Sequence, residues 1–70
     1  MSSIWTAVDD ESWVMQRARR VYSVGKDPDG TWWMEMFTLG RVRDAVRISG
    51  CRSAAEAKAE AVRIEREARK

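Results

Sequence analysis

Three adjacent carboxylates, Asp9-Asp10-Glu11, and a single thiol, Cys51, are the side chains of this sequence with the most obvious reactive chemistry. Clustered carboxylates can bind a hard cation or divide acid and base duties, provided that a cleft holds them at fixed separations. Consecutive loop residues scatter in direction and stay solvated, so this run implies neither a metal nor a catalytic role. The chain has no histidine, which removes both the side chain that titrates near neutral pH and any Cys/His zinc set. Cys51 has no second cysteine to pair with and no evident base beside it. It reads as a small buried filler next to a helix start, and an unpaired thiol suits a reducing cytoplasm. A glycine-rich phosphate loop is also missing. The sequence therefore predicts no catalytic, cofactor-binding or metal-binding residues, and a protein that is not an enzyme. A chain of 70 residues cannot enclose a typical ligand pocket and keep a core, so no small-molecule substrate is expected.

Binding chemistry is better represented. Trp32-Trp33-Met34-Glu35-Met36-Phe37 carries large apolar side chains at all but one position. On a strand, Trp32, Met34 and Met36 line one side while Trp33 and Phe37 line the other with Glu35. A small domain has one core, so one of the two sets must be covered by a partner, by a second copy or by another part of the chain. Trp, Met and Arg are the residues that enrich the centres of interfaces. The expected partner-binding patch is Trp13, Trp32, Trp33, Met34 and Met36, edged by Arg41, Arg43 and Arg47. The alternative is nucleic acid. Arg17, Arg19, Arg41, Arg43 and Arg47 share a strand parity that would gather several of them on one sheet face, where guanidinium groups meet phosphates and aromatics stack on bases. A formal charge of +2, from 13 basic and 11 acidic residues, does not by itself separate the two readings.

These side chains need a frame. The length suits a single domain over residues 1–70, at a size where four tryptophans, each burying about 200 Å², supply much of the core. Strands are expected at Ile4 to Val8, at Trp13 to Val24 as one strand or as two broken near Arg17-Ala18-Arg19-Arg20, and on both sides of Asp27-Pro28-Asp29-Gly30. In that turn proline presets the backbone and glycine takes the left-handed conformation of a bulged loop. Gly40 marks another turn. Val42, Val46 and Ile48 then alternate with Arg41, Arg43 and Arg47, although Asp44 falls on the apolar side and only residues 45–49 need pair. Gly50 is expected to close that strand. Ser53-Ala54-Ala55-Glu56 reads as a capping box opening a helix over residues 54–68, with Ala54, Ala57, Ala61, Ile64 and Ala68 on one stripe and Glu56, Glu60, Arg63 and Glu67 opposite. The predicted fold class is α+β: an antiparallel β-meander of three to five strands with one C-terminal α-helix packed on one sheet face. No basic segment followed by an apolar stretch opens the chain and no run approaches membrane-spanning length, so the expectation is a soluble cytoplasmic protein that does not engage a membrane.

Over residues 20–68 the chain resembles the arm-type DNA-binding domains of phage and transposon integrases. The likeness rests on Asp29-Gly30 in a hairpin turn, a further strand, and Ser53-Ala54-Ala55-Glu56-Ala57 opening a helix. That resemblance implies a three-stranded sheet whose face enters a DNA groove. In size and style the chain is also similar to small accessory proteins of phages and mobile elements, anti-CRISPR inhibitors among them. The sequence reads as a small non-enzymatic accessory or inhibitory protein that docks a protein partner, or a second copy as a homodimer, through a tryptophan-centred sheet face. The alternative is a nucleic-acid-binding module using the arginines.

Overall fold

The computed structural model describes residues 5–68, apart from the side chains of Val42 and Asp44. Five strands, β1 (Thr6–Asp9), β2 (Ser12–Arg17), β3 (Arg20–Lys26), β4 (Trp32–Thr38) and β5 (Arg41–Cys51), precede one helix, α1 (Ala54–Ala68). The strands pair antiparallel in chain order, β1-β2-β3-β4-β5. The helix packs across β3, β4 and β5, so the α+β meander with one covered face is the observed architecture. No described helix is long and apolar enough to cross a membrane.

Turn chemistry sets the frame. The Gly30 amide donates to the Asp27 carbonyl at 3.0 Å and the Asp27 amide to the Thr31 carbonyl at 2.8 Å, while Gly30 sits at φ 92°, the bulged loop that this dipeptide favours. Residues 12–26 form two strands, parted by Ala18 and Arg19. Ala18 holds φ 54°, a conformation that brings Cβ against the following carbonyl and destabilises an L residue by about 1–2 kcal/mol. Glycine removes that clash but has more freedom to lose on folding. Ala18→Gly should therefore raise stability by roughly 0.5–1 kcal/mol, seen in urea unfolding as a later midpoint with an unchanged slope.

Three expectations need correction. The first strand is Thr6–Asp9, and Ile4 lies outside the described residues. Gly50, at φ 77°, does not end β5; the register shifts between Trp32 and Met34 of β4, and Cys51 beyond Gly50 still pairs with Trp32. A positive-φ glycine absorbs the extra residue of a bulge without breaking the strand. Pairing of the last strand also begins at Arg41, opposite Thr38, and a second shift lies between Met36 and Thr38.

The core lies between helix and sheet. Met15, Tyr22, Val24, Met34, Cys51, Ala57 and Ala61 are buried there, with Trp13, Trp32, Met36, Ile48 and Ile64 packed around them. Ala57 and Ala61 are fully buried, and their small side chains bring the helix backbone close to the large ones below. Ser53 caps the helix as expected, its Oγ accepting the Glu56 amide at 3.1 Å. One expected stripe position fails: Ala68 is exposed, and Glu65 is buried in the register of Ala57 and Ala61. Its carboxylate accepts from the Tyr22 hydroxyl at 2.6 Å and from Arg20 through two nitrogens at 2.7 and 2.9 Å. This network closes the core beneath the last turns of α1.

Candidate interaction face

Because β4 alternates, the register decides which of its tryptophans meets the helix. Met34 pairs with Val24 and Ile48, and Met36 with Tyr22 and Val46, so Trp32, Met34 and Met36 face α1. Trp33, Glu35 and Phe37 face away, with Gly25, Ser23 and Val21 beside them on β3. Val14 pairs with Ser23 and extends this open face onto β2. No described element covers it.

Trp33 is the centre of the open face. Its neighbour Gly25 has no side chain, and the indole lies over it so closely that a Cβ there would run into ring carbon Cζ2 and stand 2.7 Å from Cε2. A glycine inside a strand commonly marks such a close approach. On the other side the Arg47 guanidinium lies 4.9 Å from the Trp33 ring centroid, in range of the ring's negative face. Arg47 also meets Glu35 at 3.6 Å and Asp27 at 3.7 Å, and donates to Ser49 Oγ at 3.4 Å. Two carboxylates thus offset its charge. What remains is a rigid aromatic plate with a balanced polar border, next to the Val21 and Phe37 pair.

Trp13 and Trp32 belong to the opposite side. Their ring centroids are 6.0 Å apart, Lys58 Nζ of α1 lies 3.9 Å above the Trp13 ring, and Lys26 Nζ is 5.7 Å from the Trp32 centroid. They serve the core. The expected patch therefore mixed two faces. Met34 has no exposed surface and Met36 packs on the core, so of Trp13, Trp32, Trp33, Met34, Met36, Arg41, Arg43 and Arg47, the structure brings Trp33 and Arg47 together on the open face. Phe37, Val21, Val14 and Gly25 join them. Gly25 and the two valines were missed, although a glycine within a β-branched strand is a readable signal.

The arginines do not share one face either. Arg47 opposes Glu35 on the open face, whereas Arg41 opposes Thr38 on the helix side. The register shift between Met36 and Thr38 breaks the parity that sequence spacing suggested. Arg17 opposes Arg20, again on the helix side, and Arg20 opposes Thr38. Arg19 lies in the β2–β3 turn and Arg43 is an exposed β5 residue.

The reactive groups have local duties. Asp9 accepts the Glu11 amide at 2.8 Å, and this hydrogen bond holds its carboxyl below the usual range. Glu11 pairs with Lys26 at 3.4 Å beside an open depression of about 440 Å³ that reaches the rim of Trp33. Among the described residues no group of three or more His, Cys, Asp or Glu side chains could hold a metal ion. Cys51 is buried, and burial, aided by Glu56 and Glu60, pushes its thiol up, away from the reactive thiolate. Comparison with family models, curated proteins and solved structures gave no match. The functional reading therefore rests on geometry.

Proposed function

We propose that this protein is a binding domain that acts by docking a protein surface onto the open sheet face centred on Trp33. The observation that carries this reading is the position of Trp33, Val21 and Phe37 on the side of the sheet away from α1. A flat strand surface offering a fixed aromatic plate is suited to packing against another flat surface about 10 Å away, sheet on sheet. The partner best matched to the face is a second copy. Glu35 and Arg47 stand side by side on it, so a mate related by a two-fold axis would set each Arg47 near the other copy's Glu35, an isologous and self-complementary contact. Five strands about 4.8 Å apart and six residues deep give a footprint of roughly 24 by 20 Å. A contact of that size buries about 1,000 Å² in total and is weak and concentration-dependent.

Phe37→Glu tests this. The substitution places a charge on the open face beside Val21 and leaves the helix-side core alone. Light scattering at a low and a high concentration should show the unmodified protein approaching twice its monomer mass, while Phe37→Glu stays monomeric with a nearly unchanged melting temperature. A parent protein that remains monomeric at both concentrations contradicts the reading.

A further inference from the structure

The end of the molecule that holds the β2–β3 and β4–β5 turns has a different character from the open face, and it does not depend on what docks there. Arg17, Arg20, Thr38 and Arg41 are cross-strand neighbours in one row over four adjacent strands, all on the helix side. Arg20 is neutralised by Glu65. Among the described residues, Arg17, Arg41 and Arg43 have no acidic partner within ion-pair range, in contrast to Arg20, Arg47 and Arg63. Arg19 is fixed at the tip, where its carbonyl accepts the Leu39 amide at 2.7 Å and its guanidinium donates to the Leu39 carbonyl at 3.2 Å. Glu65 offsets the charge of Arg20, which reduces the repulsion across the Arg17–Arg20 pair, so the positive charge left at this end lies on Arg17, Arg19, Arg41 and Arg43. Acidic residues collect at the far end, where Asp9 ends β1 and Asp10, Glu11, Asp27 and Asp29 occupy the β1–β2 and β3–β4 turns. In the sequence, Asp44 adjoins Arg43.

We infer that Arg17, Arg19, Arg41 and Arg43 form a separate site for the phosphate backbone of duplex nucleic acid. Four adjacent strand ends about 4.8 Å apart span roughly 14 Å, close to the ~12 Å width of a major groove, so guanidinium groups at the two ends of the row meet phosphates on both rims. Arginine matches phosphate oxygens with paired hydrogen bonds. Trp13, Trp32 and Trp33 pair at or near the opposite end of their strands, and Trp5 packs against the core with Lys58 Nζ 5.8 Å from its ring, so none of the described indoles is offered as a free platform for stacking the bases of a single strand. Contact is with phosphates alone and is independent of sequence.

The test uses a fluorescently labelled DNA duplex, the same sequence as a single strand, and poly-glutamate as a competitor, with binding followed by anisotropy. Four phosphate contacts predict a slope of log K against log salt of about −3.6, a loss of roughly 100-fold between about 50 and 200 mM salt. Changing Arg17, Arg19, Arg41 and Arg43 together to glutamine should abolish duplex binding, and each single change should lower the slope by about 1. Arg47→Gln, on the other face, should leave it intact. The assignment is overturned by an absence of duplex binding at low salt, by binding that survives the fourfold change while the variant keeps its melting temperature, or by tighter binding of the single strand. Displacement of the duplex by poly-glutamate at matched charge would identify an acidic protein surface as the ligand and overturn it as well.

Discussion

Replacing Glu65 by alanine should lower the unfolding free energy by about 3 kcal/mol, a large share of the roughly 4–10 kcal/mol expected for a chain of this length. The carboxylate is the shared acceptor for Tyr22 and Arg20, and its side chain is 8 % exposed. Its removal leaves a buried hydroxyl and a partly buried cation without their acceptor, which destabilises more than the intact pair stabilises. Glu65→Gln keeps an acceptor for Tyr22 and should fall between alanine and the parent. The same network sets an alkaline limit. Burial first, and then the hydrogen bond to Glu65, push the Tyr22 phenol from 10.0 to about 12. Below pH 10 both folded and unfolded chains keep the proton. Between about 10 and 12 the unfolded chain releases it first, so stability falls across that window. Tyr22 is the single tyrosine of the chain, and the tyrosinate absorbance reports it alone. A titration midpoint near that of free tyrosine in the folded protein, or no loss of stability in Glu65→Ala, would remove the network from the account.

The second large effect separates the neighbouring tryptophans of β4. Trp32→Ala should reduce stability by about 3 kcal/mol, because its indole packs on the core beside Trp13 and truncation leaves a void that helix and sheet cannot both close. Trp33→Ala should reduce stability by about 1 kcal/mol, since the indole rests on a residue without a side chain and has no element above it. Association should respond in the opposite order. Trp33→Ala should lose it, and Trp32→Ala should keep it at temperatures where the variant is folded. Chemical unfolding and light scattering on the same two samples read both quantities. Equal destabilisation with no change in mass would show that the open face is only a solvated surface.

Much of this fold is legible in particular residues. Asp27-Pro28-Asp29-Gly30 dictates its turn through backbone preferences that act locally, and Ser53 with Glu56 marks the helix start for the same reason. Alternation in β4 shows that one of its two apolar faces lacks cover. Which one is set by pairing with Val24 and Ile48, a long-range register that no local pattern carries. The arginine parity failed because a shift in β5 cannot be read from side-chain types, and Arg41 and Arg47 consequently point to opposite sides. Glu65 escaped for another reason. A glutamate among charged helix residues reads as solvated, yet it follows Ala57 and Ala61 at intervals of four, and a buried position there requires donors such as Arg20 and Tyr22 on the facing strand. The signal was the spacing. Gly25 carried a similar one, a glycine where a strand has no turn to make.

Both proposed surfaces depend on the separation of the two sides and two ends of the sheet. The open face is balanced in charge and aromatic, while the arginine end is positively charged. Docking through one should respond weakly to salt and contact through the other steeply. The most direct measurement is a dilution series followed by amide resonances of the isotopically labelled protein. Docking of copies through the Trp33 face predicts concentration-dependent shifts confined to Val14, Val21, Gly25, Trp33, Phe37 and their neighbours, with α1 unaffected. Resonances that do not move over the series, or shifts centred on α1 or on residues 17–19 and 39–43, would contradict it.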